Sequence, residues 1–445
     1  MIALLPEIIL VIAILNLFIL KNKFSDLESS KVFNITLSYL LVSFLCAITL
    51  YNNNIKTDFL TQTSRLFFIK TAVYIYSLII LNLASRWFAN KNENGLRFTI
   101  IALIQVLCIL LLISSHNLII IASLLSALGF SNCFLLSLRK HYDAHDSKSY
   151  QVTVSVLLLM LWTGTFIINS HPEIAIFLIL PIIFYLLGLA PFHIGVVNLV
   201  SNSILPVSCL LATINIFGYI VLLNFLITNV FQNQEAVKLI LQIFGILSMF
   251  VGAAYATSQL NLRKLFSYSS VFHIGVMMLV LSQFTEDANI SVFVYLLIYS
   301  IALLGVYTSF YGLKLNGDYQ KDITKLHGIA HYNPFIITSL MVFLISLVGY
   351  PPIIGFGGRI SVINSLIANH QYLFVGLFIV ALMILVYAYL NVIKAFYFAP
   401  AVNKKYDRVD FGVYVILFVN IVFVITTLIN PSLFTQYLQE VFNKL

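Results

Sequence analysis

Charge is scarce in this sequence. Asp, Glu, Lys and Arg make up 9% of its 445 residues, where an ordinary soluble domain carries about 25%. No Asp or Glu stands in the middle of a long apolar run. Cysteine is rarer still. Cys46, Cys108, Cys133 and Cys209 each stand alone in apolar sequence, without the spacing of a zinc or iron–sulfur site, and read as small buried hydrophobes. There is no Gly-rich phosphate loop and no dinucleotide fingerprint. No polar stretch is long enough to fold alone; the longest cover 314–334, 139–150 and 399–410. These absences argue against a soluble enzyme, a metal centre and a cofactor held by this chain, and no catalytic residue is assigned. Any associated redox chemistry has to come from other chains.

What is present is apolar: 61% of the residues are hydrophobic, more than a soluble core can hide. The runs are continuous, as in Val152–Ile168, Ser291–Tyr311 and Tyr372–Phe398, rather than alternating as in barrel strands. About 20 residues cross the hydrocarbon core as a helix. The sequence therefore predicts an all-α polytopic membrane protein with about fourteen spans, embedded in a lipid bilayer. They lie near 2–20, 32–51, 66–85, 98–114, 117–138, 151–169, 174–200, 203–228, 237–259, 265–283, 290–313, 335–368, 371–398 and 411–430. Proline interrupts the seventh and the twelfth. The opening stretch has no basic leader and carries Glu7, so the first span is expected to stay in the mature protein.

Basic residues set the expected orientation. Most of the 24 Lys and Arg, among them Lys21, Lys23, Arg86, Arg139, Lys140, Arg263, Lys264, Lys321 and Lys405, fall in loops that follow odd-numbered spans. Lys56, Arg65, Lys238 and Lys444 fall in even loops or the C-terminal tail. The positive-inside rule then makes odd loops cytoplasmic and puts both termini outside. The net charge of +8 is a topogenic signal, and no nucleic-acid partner is expected. After the last span, Leu433, Phe434, Tyr437, Leu438, Val441, Phe442 and Leu445 recur at helical spacing, an amphipathic tail at the interface or against a partner.

Ionisable residues at bilayer depth are costly and mark candidate functional sites. Arg359 follows Tyr350-Pro351-Pro352-Ile353-Ile354-Gly355-Phe356-Gly357-Gly358, where prolines and glycines break a helix and free backbone groups. A cation there fits an ion path or a plug for the freed carbonyls. His193 stands at the other break, beside Pro191. His273 shares a helix face with Ser269 and Ser270, being three and four residues away. A neutral imidazole can relay a proton, or simply pack. Lys70 lies one turn into the third span, where it can serve a path or snorkel to the surface. Lys264 starts a helix on the expected cytoplasmic side, where topology alone accounts for it.

The pattern suggests four divisions of one membrane domain (1–445): three leading helices (1–97), two five-helix sets (98–228 and 229–398), and a last helix with its tail (399–445). The two sets start on opposite sides of the membrane and each breaks its fourth helix, at Pro191 and at Pro351-Pro352. Inverted repeats with paired broken helices are a design of ion-translocating proteins.

Several stretches, read in order, resemble the N-type antiporter-like membrane subunit of bacterial proton-pumping NADH:quinone oxidoreductase, respiratory complex I. They are Leu5-Pro6-Glu7-Ile8; Leu189-Ala190-Pro191-Phe192-His193; Asn261 to Ser270; Gly349 to Arg359; and Tyr387-Ala388-Tyr389-Leu390 with Lys394-Ala395-Phe396-Tyr397-Phe398. The resemblance covers most of the chain. It implies a multi-pass protein of the bacterial inner membrane, other membrane subunits as partners, and quinone, NADH, FMN and iron–sulfur clusters used by the assembled complex rather than held by this chain. It also implies a line of buried charges: a Glu in helix five and Lys in helices seven, eight and twelve. Transferred by spacing, these fall at Ser126 (Ser123 being the other candidate), Leu186, Ile216 and Arg359. Only the last is a cation here, and the polar residues after the seventh-helix break are Asn198 and Ser201. Leu and Ile cannot pass a proton, and Arg releases one far less readily than Lys. The chain is then expected to couple quinone reduction to proton movement through water, serines and histidines, to have lost pumping and remain as a scaffold, or to serve another cation/proton-translocating assembly. The lost charges favour the last two.

Overall fold

A computed structural model describes residues 4–23, 29–50, 55–56, 60–91, 93, 95–138, 144–231, 234–351, 353–400 and 406–426. Pro352, Arg139, Lys140, Lys405, Lys444 and the tail 431–445 lie outside the described residues.

Among the described residues sixteen α-helices follow one another: α1 Leu5–Lys23, α2 Ser29–Thr49, α3 Ser64–Lys91, α4 Leu96–Ser114, α5 Leu118–Leu136, α6 Ala144–Ile167, α7 Pro172–Leu187, α8 His193–Asn202, α9 Leu205–Phe225, α10 Glu235–Thr257, α11 Leu262–Leu281, α12 Glu286–Phe310, α13 Pro334–Val348, α14 Ile354–Ala368, α15 Tyr372–Tyr397 and α16 Phe411–Thr426. Two short antiparallel hairpins, Ile55–Lys56 with Thr61–Gln62 and Lys314–Leu315 with Asp318–Tyr319, add the only described strands. The chain is thus an all-α, multi-pass membrane protein, as its composition requires.

Ten described helices are long and apolar enough to cross a bilayer unaided. The shorter ones include the pieces of the two proline-interrupted spans. α7 has 16 residues and α13 and α14 have 15 each, rising about 22–24 Å against a hydrocarbon core of about 30 Å. Local sequence sets the helix starts. Asn117 accepts from Ile119 N at 2.9 Å to cap α5, Asn261 accepts from Arg263 N at 3.1 Å to cap α11, and Thr285 accepts from Ala288 N at 3.3 Å to cap α12. At the two breaks the helix ends come before the prolines. Gly188 (φ 75°) follows α7 and Gly349 (φ 71°) follows α13, a left-handed conformation that glycine adopts without strain.

The chain divides into two compact units. One holds the described residues up to Leu186 with Asn202–Leu226; the other holds Leu187–Ser201 with the described residues from Ile227 onward. In the first unit α9 is buried along nearly its whole length, with Phe217 against Tyr76 of α3 at 5.5 Å between ring centres. In the second unit α8 is held by Ala190 N donating to Ser248 Oγ at 2.9 Å and by Phe192 stacked on Phe244. α10 and α11 meet on glycine: a Cβ on Gly275 would stand 2.7 Å from the Gly245 carbonyl oxygen, and one on Gly252 would stand 2.7 Å from the Tyr268 carbonyl oxygen. α12 is buried on almost every side. α6 and α15 keep exposed apolar faces, including Val152, Leu159, Leu373 and Met383, of the kind that faces lipid.

Candidate functional site

The α13–α14 break brings Arg359 into the interior of the second unit, where it is 5% exposed. One guanidinium nitrogen, Nη2, donates to the Leu347 carbonyl at the end of α13. The other, Nη1, has no hydrogen-bond partner among the described residues, and no described carboxylate pairs with it. The group lies 5.8 Å from the ring centre of Phe378 on α15. Two glycines create the close approach: a Cβ on Gly349 would strike the Arg359 side chain, and one on Gly355 would strike the backbone of Ser346.

Beside Arg359, α11 and α12 contribute a hydrogen-bonded aromatic row. His273 Nδ1 lies 2.7 Å from Tyr295 Oη, while Nε2 has no described partner. Tyr299 packs on the imidazole at 4.5 Å between ring centres and donates to Ser270 Oγ at 2.8 Å. Ser269 turns the other way and bonds the Tyr389 hydroxyl of α15, so Ser269, Ser270 and His273 of α11 divide between two neighbours rather than facing one. His273, Tyr295, Tyr299, Ser346, Gly355 and Arg359 line a small cavity with room for about one water. Together these groups can hold a fixed positive charge and can bind or pass a proton between hydroxyls and imidazole.

The other residues singled out from sequence lie elsewhere. His193, buried at the start of α8, packs against Tyr268 and Tyr255 at 5.8 and 6.3 Å and does not join the Arg359 cluster. Lys264 is half-buried in the first turn of α11. In the first unit Lys70 does not snorkel; its Nζ lies 2.7 Å from Glu7 Oε1, and both side chains are buried. Ser126 donates to Ala122 O and accepts from Trp162 Nε1 at 3.2 Å. Leu186 and Ile216 are buried hydrophobes. Pro191 and Pro351 fall inside the two breaks, between the helix pieces.

Sequence reasoning passed over a neutral network in the first unit. Gln105 of α4 donates to Ser131 Oγ at 3.2 Å and to Asn132 Oδ1, both on α5. Asn132 Nδ2 reaches Tyr150 Oη of α6 at 3.3 Å. Tyr150 packs on Tyr185 of α7, whose hydroxyl bonds Thr153 at 2.9 Å. The available signal was two amides inside otherwise apolar spans.

A broken helix carrying a buried, unpaired cation inside a many-helix membrane fold defines a protein of the antiporter-like class. The chain belongs to the family described as NADH:quinone oxidoreductase/Mrp antiporter, transmembrane, whose model matches residues 120–385. It is similar to NADH-quinone oxidoreductase subunit N of Rickettsia bellii, 30% identical over 261 residues, which cover 58% of this chain and 56% of the relative. The protein of the same name from Pelagibacter ubique is 24% identical over 433 residues, 91% of this chain and 90% of the relative. Among solved structures, the fold resembles a chain of respiratory complex I from Thermus thermophilus, with TM-score 0.82, 19% identity, and coverage of 97% of this chain and 99% of that one. It also resembles a chain of the membrane-bound sulfane sulfur reductase, an archaeal respiratory membrane complex, with TM-score 0.88, 15% identity, and coverage of 99% and 97%.

Proposed function

We propose that this chain is a membrane subunit of a complex I-like quinone oxidoreductase, in which proton movement through it rests on the second unit alone. The observation that carries this reading is the contrast between the units. Arg359 is a buried cation without a described counter-charge, at a helix break beside the His273–Tyr295 pair, whereas in the first unit Ser126, Leu186 and Ile216 carry no charge and the buried Lys70 is neutralised by Glu7. A fixed guanidinium cannot cycle its own proton at working pH. It can set the potential felt by a proton on the imidazole–phenol row. Coupling is accordingly weaker than in members that carry every charge.

On this reading NADH, FMN, iron–sulfur clusters and quinone are handled by other subunits. The dispersed cysteines of this chain suit no cluster, and among the described residues no three His, Cys, Asp or Glu side chains gather to hold a metal. Its partners are other membrane subunits, its location is the bacterial inner membrane, and both termini face the outer side, consistent with the distribution of Lys and Arg. The two five-helix sets are inverted repeats whose breaks correspond.

The test is the proton-to-electron stoichiometry of the assembled complex carrying Arg359→Ala. A lower stoichiometry with quinone reduction retained is expected. An unchanged value would remove Arg359 from the path and leave a scaffold. A second reading, a subunit of another cation/proton-translocating assembly, is favoured by a family that also takes in Mrp antiporters and by the likeness to the sulfane sulfur reductase chain. Chain-dependent proton movement in membranes without a quinone oxidoreductase would establish it.

A further inference from the structure

The charge of Arg359 has no counter-charge among the described residues. A guanidinium stays protonated, so burial cannot neutralise it, and an uncompensated ion at this depth costs several kcal/mol. Backbone dipoles do not balance it. The Leu347 carbonyl presents the negative end of α13, but Gly355, in the first turn of the 15-residue α14, sets a positive helix end against the same cavity.

The unpartnered polar atoms around the cavity can all act as donors. Arg359 Nη1 is one. Ser346 Oγ is another, on a residue 3% exposed. His273, 2% exposed, supplies the third: when the Tyr295 hydroxyl donates to Nδ1, a neutral ring carries its proton on Nε2, the nitrogen without a partner. Tyr299 gives its own proton to Ser270. No carboxylate lines the space, which has room for about one water.

We propose that this cavity binds a monatomic monovalent anion, with the size of chloride or bromide, between Arg359 Nη1, His273 Nε2–H and Ser346 Oγ–H. Such an ion is larger than a water molecule, so the cavity has to widen slightly to take it, and it offsets part of the guanidinium charge. Sulfate, carboxylates and gluconate are too large. The site goes beyond the transport reading, since it requires only that the cation be buried.

The test uses the full chain in detergent, unfolded by heat in potassium chloride, bromide, gluconate or sulfate at matched ionic strength. A saturable rise in Tm with chloride and bromide alone is expected. It should vanish in Arg359→Met, and Ser346→Ala should raise the half-saturating concentration several-fold. Should Arg359→Met not fold, bromide soaked into wild-type crystals decides, with an anomalous peak expected beside Nη1. Equal Tm in all four salts, halide dependence that survives Arg359→Met, or bromide absent from the cavity would overturn the site. So would a partner subunit's carboxylate filling it in the assembled complex. None of these readouts involves transport, so the anion site and the proposed function fail independently.

Discussion

Lys70 of α3 and Glu7 of α1 form a 2.7 Å ion pair, and each side chain is only 5% exposed. The partners lie 63 residues apart, so the pair ties the start of the chain to its third long helix. Breaking a buried pair strands one charge and costs about 3–5 kcal/mol, whereas replacing both members by apolar residues is often neutral. Lys70→Met alone is expected to destabilise the full chain by that amount, and Glu7→Leu with Lys70→Met to recover most of it. Denaturant unfolding in detergent measures both. A single variant as stable as the wild type would show that the pair contributes nothing.

Arg359→Lys keeps the cation and makes its proton easier to release. In the assembled complex this substitution is expected to hold the proton-to-electron stoichiometry at or above the wild-type value, clearly above Arg359→Ala. A value as low as that of the Ala variant would mean that the bond to Leu347, rather than the charge, is what matters.

The His273–Tyr295 bond is open to a double-mutant cycle. Tyr295→Phe and His273→Gln should each destabilise by about 1 kcal/mol. The double variant should fall short of the sum by about 0.5–1.5 kcal/mol, as expected of groups in direct contact. Strict additivity in thermal unfolding would dissolve the row.

Asn132→Leu removes the centre of the neutral network, leaving Gln105 with Ser131 alone and the Tyr150 hydroxyl without the Asn132 donor. The expected loss is about 1–3 kcal/mol of stability, with the proton stoichiometry of the complex unchanged. A drop in stoichiometry at intact stability would place the first unit on a proton path.

Much of this architecture was legible because a bilayer leaves few options: continuous apolar runs must be helices. Arg359 was legible for the same reason, as a cation has to be accounted for wherever lipid surrounds it. The breaks were marked by Pro191 and Pro351, yet the helices end on Gly188 and Gly349. Left-handed glycine closes a helix before proline has to interrupt it, and only the backbone shows which residue does so. Lys70 seemed free to snorkel because Glu7, its partner, belongs to a distant helix, and sequence spacing says nothing about helix neighbours. Ser269 and Ser270 looked equivalent beside His273. They part because adjacent residues on a helix point about 100° apart, one toward Tyr389 and the other toward Tyr299. Gln105 and Asn132 escaped notice because neutral amides do not register where charge is the signal.

The glycine contacts between α10 and α11 have a mechanical consequence. Where backbones touch at Gly245, Gly252 and Gly275, two helices share one stiff body, since no layer of side chains can slip or repack between them. Ser269, Ser270 and His273 ride on that body as on a stator.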